Sequence, residues 1–200
     1  KYIALASLFV ASAPTLAEAQ TPDQTEKILA AWRDWTATHN VDTAISIGHN
    51  GTILATGSEG RDPDTAYPMA SLTKAITGVC VKRIAEENGI AFDTTLGALQ
   101  PEFDKVNIDI PAKIRDRTLA SLLSMSSGLE PDLTQSEMNR TYRMGDTRNI
   151  GFSKDSLKSR GLTGTPGEFN YNNGNYALLG ALLEALTDTD NVSACRDKVF

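Results

Sequence analysis

The chain has 200 residues, of which 40% are hydrophobic, 22% charged and 6% aromatic, and its formal net charge is −6. Those fractions are typical of a soluble globular domain and exclude a disordered acidic tail, a collagen-like repeat and a polytopic membrane protein. The negative charge offers no footprint for nucleic acid or an anionic membrane surface, and two cysteines with two histidines are too few for a disulfide scaffold or a zinc cluster.

Residues 1–20 read KYIALASLFVASAPTLAEAQ. A basic residue, an apolar run from Tyr2 to Ala13 and a small-x-small ending at Ala17-Glu18-Ala19 predict a secretory signal over 1–19, leaving a domain over 20–200. The run is too short to span a bilayer comfortably. It has no polar alternation, which argues against a first helix of the domain. No cysteine near the cut offers a lipid attachment site, so the expected product is periplasmic or secreted, without a stable membrane anchor.

Thr21-Pro22-Asp23-Gln24 combines a helix cap, a first-turn proline and a Gln placed to close a capping box. The helix that follows is expected to face inward through Ile28, Trp32 and Trp35, and to end near His39-Asn40. Asn50-Gly51 between Thr43–Gly48 and Thr52–Thr56 predicts a β-hairpin. Gly57–Pro68 reads as a loop. A long helix is predicted over Ser71–Asn88, with Leu72, Ala75, Ile76, Val79 and Ile84 inward and Gly89 as its stop. Leu119–Met125 predicts a short helix closed by Ser127-Gly128. Residues 130–165 are polar and aperiodic, as in a surface excursion. A last apolar helix carries Tyr176, Leu179, Leu183 and Leu186. One hairpin with several helices makes an α/β (α+β) domain, and a lone hairpin needs further strands or a covering layer.

Export permits a Cys80–Cys195 disulfide. The apolar setting of Cys80 among Ile76, Val79 and Ile84 instead favours a small buried hydrophobe. Three N-x-[ST] sequences, at Asn50, Asn139 and Asn191, matter only where the host glycosylates.

The chemistry-bearing positions begin with Ser71-Leu72-Thr73-Lys74. Residues i and i+3 share a helix face, so the Lys74 ammonium can approach the Ser71 hydroxyl. A helix N-terminus adds partial positive charge and N–H groups, one of which can serve as an oxyanion donor. Alone, S-x-x-K arises about once per chain at average composition, and a serine cap followed by a solvated lysine explains it equally. The second piece is Tyr171-Asn172-Asn173. A phenol near a lysine ammonium has its pKa lowered, and it can take a serine proton and return it to a leaving group. Asn173 can donate to a substrate carbonyl or accept from Lys74. In isolation, a loop tyrosine before a helix explains this piece as well.

Together, YPMASLTK (67–74), TLASLLSMSSGLE (118–130) and PGEFNYNNGNYALLGALLE (166–184) resemble successive blocks of the class C β-lactamase-like serine hydrolases, a family that includes penicillin-binding proteins, D-alanyl-D-alanine carboxypeptidases and esterases. The resemblance runs from about residue 43 to the chain end. It implies a β-lactamase/transpeptidase-like fold, of which this chain carries the N-terminal part: one hairpin of the central antiparallel sheet, plus the helical region. It further implies Ser71 as acylated nucleophile, Lys74 as its activating partner, Tyr171 as general base and acid, and Asn173 as substrate contact. No cofactor or metal is implied, and the partner is a small-molecule or peptide substrate.

The sequence departs from the family pattern in two ways. Asn172 is larger than the small residue usual between the tyrosine and the asparagine. The third block, a Lys-Thr-Gly or His-x-Gly strand, lies far downstream in the family, and the match at His49-Asn50-Gly51 is the hairpin turn. The resemblance therefore implies a chain shorter than the complete hydrolase domain. A non-catalytic penicillin-binding sensor and an inactive fragment are the alternative readings. Retention of Ser71, Lys74 and Tyr171 argues against the sensor. A Ser-His-Asp or metal hydrolase lacks both a G-x-S-x-G elbow and metal-ligand spacing here.

Overall fold

The computed structural model describes residues 22–62, 64–66, 68–130, 132, 151, 153–154, 157 and 164–200. The predicted signal, the Thr21 cap, the Asn139 sequence and most of the 130–165 excursion lie outside the described residues. The chain divides into two compact units, Lys1–Pro68 and Met69–Phe200.

In the first unit, α1 spans Pro22–His39 and packs on the second strand of a hairpin. Its buried residues are Thr25, Leu29 and Thr36, whereas Ile28 and Trp35 are exposed, which corrects the predicted inward face. Both stripes have helical spacing. The packed stripe is the one that brings the Trp32 ring over Gly57 on the hairpin, while Trp35 stacks on His39 one turn further on, 4.8 Å between centroids. Strands β1 (Thr43–His49) and β2 (Thr52–Glu59) pair antiparallel. Asn50 and Gly51 both take positive φ, 48° and 78°, and this backbone twist is the one that matches a two-residue hairpin. The register shifts between Ile47 and Gly48, and β2 continues three residues beyond the predicted Thr56, into the stretch read as loop. Among the described residues the sheet has these two strands.

The second unit is helical. A 3₁₀ turn over Ala70–Leu72 leads into α2 (Thr73–Glu87), followed by α3 (Gln100–Lys105), a 3₁₀ turn at Ala112–Ile114, α4 (Leu119–Leu123), α5 (Asn173–Thr187) and α6 (Asn191–Val199). The centre is α5. Eleven of its residues are buried, from Gly174 to Ala185, and α2, α3, α4 and α6 all pack against it. A helix that is apolar all round has to be an interior one. Leu178, Leu179, Leu182 and Leu183 are at most 1% exposed, and Phe103, Leu96, Ile108, Ile110, Leu119 and Leu122 close the same core. Each such side chain contributes about 1.5–3 kcal/mol on burial. The first turn of α5 is therefore anchored by everything behind it.

Helix α2 differs from expectation on its inward face. Cys80, Val81, Ile84 and Ala85 are buried, while Leu72 and Val79 are 70% and 44% exposed. The helix is apolar on two sides, and α5 and α6 take the Cys80 side. Cys80 is bonded to Cys195 of α6 (Cα–Cα 5.2 Å), so the expectation of a free buried thiol is corrected. The apolar environment of Cys80 is real, and the partner 115 residues away supplies the bond. Gly89 ends α2 in the left-handed region as predicted, with φ 67°. The short α3 was not legible, because six residues with a proline in the first turn show no periodicity. No helix among the described residues is long and apolar enough to cross a membrane.

Candidate active site

The site is assembled by three segments of the second unit. The first is the turn into α2. Ala70, a non-glycine residue, holds φ 46°, a conformation that costs an L-residue about 1–2 kcal/mol. Strain of this kind gathers at functional turns. Ser71 follows it in the 3₁₀ turn and Lys74 lies on the first turn of α2, so the i, i+3 relation predicted from sequence is present. Lys74 Nζ donates to Ser71 Oγ at 3.1 Å.

The second segment is the chain entering α5. It is held by backbone contact with the stretch after α4, where Gly164 N–H donates to Gly128 carbonyl and Gly167 N–H to that of Ser126. Gly128 has φ 78°, and a Cβ there would meet Gly164 O at 2.8 Å, so both conformation and space require glycine. Farther along, Asn170 N–H donates to Met125 carbonyl, and the Asn170 side chain donates to Glu130. Asn172, read from sequence as an oversized middle residue, is 2% exposed and caps α5: its Oδ1 accepts from Gly174 N–H at 2.7 Å. Its Nδ2 donates to Leu129 carbonyl at 2.8 Å. Its size is thus used in full, as a helix cap and a tether. A signal for this stood in the sequence, since Asn before Gly and a long apolar run is a preferred cap. Buried Ser127 adds a hydrogen bond to Asn175 Oδ1.

These ties place Tyr171 beside the serine. Its hydroxyl is 2.6 Å from Ser71 Oγ, and it donates to Asn173 Oδ1 at 3.4 Å. Lys74 Nζ lies 5.1 Å from the Tyr171 ring centroid and 5.6 Å from that of Tyr176, within cation–π range of both. The Lys74 ammonium, followed by the Ser71 hydroxyl, holds the Tyr171 phenol below its usual value, against smaller opposing effects of burial and Asp132. Tyr176 behaves oppositely: burial, then the neighbouring Tyr171, pushes its phenol up, and its hydroxyl donates to Leu123 carbonyl. Two tyrosines near one ammonium are thus driven apart in acidity, which marks the one fitted for proton transfer.

The third segment supplies Asp132, which the sequence reading did not single out. Asn173 Nδ2 donates to Asp132 Oδ2 at 3.0 Å. Asn173 was expected to accept from Lys74 or to donate to a substrate carbonyl; two of its hydrogen bonds link Tyr171 to this carboxylate. Asp132 sits in an aperiodic stretch, where no pattern marks an individual carboxylate. All four expected residues, Ser71, Lys74, Tyr171 and Asn173, come together. Among the described residues, no group of three His, Cys, Asp or Glu side chains is placed to hold a metal ion.

A serine hydroxyl between an ammonium and an acidified phenol can lose its proton and attack an acyl carbon. Relatives share this sequence and fold. Protein flp of Staphylococcus aureus (strain MW2) is 30% identical over 162 residues, covering 74% of this chain and 30% of that protein. Penicillin-binding protein 4 of Amycolatopsis lactamdurans is 25% identical over 160 residues, 80% of this chain and 38% of that one. The chain thus spans about a third of the length of these curated relatives. A putative beta-lactamase from Bacteroides dorei DSM 17855 superposes with a TM-score of 0.70 at 17% identity, over 87% of this chain and 50% of that structure. The Beta-lactamase family model matches residues 25–200, which include the hairpin and every block that builds the serine site. With that match spanning nearly all the described chain, the protein belongs to the Beta-lactamase family, a group of serine-hydrolase-like proteins.

Proposed function

We propose that the protein is an exported serine hydrolase that forms an acyl-enzyme on Ser71, with a β-lactam, a D-alanyl peptide or an ester as substrate. The observation that carries the reading is the placement of one hydroxyl, Ser71 Oγ, 3.1 Å from Lys74 Nζ and 2.6 Å from the Tyr171 hydroxyl oxygen. Tyr171, as phenolate stabilised by Lys74, takes the Ser71 proton while Oγ bonds to the acyl carbon. The resulting oxyanion is met by the Ser71 backbone N–H, at the positive end of the turn into α2. Collapse breaks the bond to the leaving group, which receives the proton from Tyr171. Water then attacks the ester by the same exchange in reverse, releasing the acid and restoring Ser71.

Similarity to a penicillin-binding protein and to a putative beta-lactamase supports an acyl substrate of this class. The signal-like pattern over residues 1–19 supports export. The test is covalent labelling of the full-length protein by a fluorescent penicillin and by an activated phosphonate. Labelling that disappears in Ser71→Ala is the expected result. Reversible binding without an adduct, or labelling indifferent to that substitution, sinks the proposal; an adduct on Ser71 that is never hydrolysed is what a penicillin-binding sensor gives.

A further inference from the structure

One ammonium serves the whole of the proposed reaction. Lys74 Nζ donates to Ser71 Oγ at 3.1 Å and favours the phenolate form of Tyr171. It sits at the end of a flexible four-carbon stem, so its position depends on what surrounds it. Two aromatic rings lie against it, with centroids 5.1 Å (Tyr171) and 5.6 Å (Tyr176) from Nζ, both within the range over which a ring face attracts a cation. The two rings are not equivalent. Tyr171 changes charge during the cycle: it is phenolate before it takes the Ser71 proton, and neutral until it passes that proton to the leaving group. Its hold on the ammonium weakens over that interval.

Tyr176 keeps one charge state throughout. Its hydroxyl donates to the Leu123 carbonyl at 3.2 Å, at the C-terminal end of α4, so that group is engaged away from Ser71. Burial, then the neighbouring Tyr171, pushes this phenol up, and it stays neutral at pH 7. What Tyr176 turns to Lys74 is its ring. That ring belongs to the first turn of α5 and packs against the core that buries the helix. A neutral ring fixed in this way attracts the ammonium through its face and leaves the N–H groups free for Ser71 and Tyr171.

We infer that Tyr176 is a positioning residue of the acylation machinery: its ring face holds the Lys74 ammonium beside Ser71 and Tyr171, and keeps it there while Tyr171 carries the serine proton. The inference rests on the proposed Ser71 acyl-enzyme. It gives Tyr176 no proton to move, since the hydroxyl is tied to Leu123 and the role lies in the ring. Without that ring, the long lysine stem spends part of its time in other rotamers. In those rotamers Ser71 Oγ loses its donor and the Tyr171 phenolate loses its counter-charge, so only a fraction of the molecules is poised to react.

The test measures acylation of the full-length protein by an activated phenyl ester in the wild type, in Tyr176→Phe and Tyr176→Leu, and with pentafluorophenylalanine in place of Tyr176. Tyr176→Phe keeps the ring and should stay within about twofold of the wild-type saturating rate. Tyr176→Leu keeps an apolar side chain without a π face. It should lower that rate about fivefold, the worth of a partly exposed cation–π contact, with little change in the half-saturating ester concentration. Pentafluorophenylalanine has nearly the shape of Phe, but its fluorines withdraw charge from the ring face, so this variant should fall with Tyr176→Leu and not with Tyr176→Phe. Packing alone would not separate the two aromatic variants. Equal rates for those two, or a wild-type rate in Tyr176→Leu, overturn the inference. So does a loss in Tyr176→Phe as deep as that in Tyr176→Leu, which places the effect in the bond to Leu123. Melting temperatures accompany each rate, and where Tyr176→Leu fails to fold, the comparison of the two aromatic variants decides. If the wild type itself forms no ester on Ser71, the proposed function fails instead, and the two failures are distinguished by that control.

Discussion

Replacing Tyr171 with Phe removes one oxygen and keeps the ring. The ring is 45% exposed, so its environment barely changes, and the Lys74 contact with the aromatic face persists. What is lost is the 2.6 Å contact with Ser71 Oγ and the bond to Asn173. A positioned general base contributes about 10²–10⁴ in rate. At about 1.36 kcal/mol per factor of ten, that range corresponds to about 2.7–5.4 kcal/mol of transition-state stabilisation. The upper part of the range is expected, because Ser71 is left with an ammonium that can only donate and, among the described residues, no base within contact. The pH dependence gives a second, independent sign. Phenolate is the active form, so wild-type acylation should rise with pH through an apparent pKa below the ordinary tyrosine value of about 10, as Lys74 and Ser71 both lower it. In Tyr171→Phe that limb should vanish together with the rate. The assay is stopped-flow acylation by an activated ester from pH 5 to pH 10, with thermal melts as the folding control. A variant within about threefold of wild type, or one that keeps the same acid limb, refutes the assignment of Tyr171 as base.

Two further predictions concern the frame around the site. The Cys80–Cys195 bond closes a loop across 115 residues, for which chain-entropy arithmetic gives about 5 kcal/mol as an upper figure. The Cys80→Ala/Cys195→Ala double variant should lose about 2–5 kcal/mol in reversible denaturant unfolding, and an unchanged midpoint would contradict the pairing. Gly128→Ala forces a side chain into the left-handed region and against Gly164 O, at an expected cost of about 2–4 kcal/mol. Because that contact also places the segment leading to Tyr171, penicillin labelling should slow in the folded fraction, and unimpaired stability and labelling would show that the close approach is dispensable.

The parts of the fold legible in the sequence were those with a local cause. Asn50-Gly51 specified its hairpin because few other residue pairs accept two positive φ values. Gly89 stopped α2 for a similar reason, and Leu179 with Leu183 marked the interior of α5. Inward faces were less legible. In α1 and α2, helical spacing allowed more than one apolar stripe, and only the partner helix or strand chose between Trp35 and Leu29, or between Val79 and Val81. The disulfide was hidden because a half-cystine in an apolar helix resembles any small buried residue until its partner is known.

The same division runs through the site. Ser71 with Lys74, and Tyr171 with Asn173, were recognisable by spacing, since each pair is local. Their meeting across 100 residues was implied only by resemblance. Asp132 and the two roles of Asn172 depend on contacts between separate segments. Asn172 even stood out for the wrong reason, as a size anomaly, when its amide is what caps α5 and ties it to Leu129.

The central claim is that Ser71 becomes acylated with Tyr171 as its base, and the most direct measurement is intact-mass and peptide mass spectrometry of the full-length protein after brief exposure to a penicillin. The account predicts one adduct, carried by the peptide containing Ser71, formed faster as pH rises toward the Tyr171 pKa and absent in Ser71→Ala. An adduct on any other residue, or none at Ser71 at any pH, would contradict it.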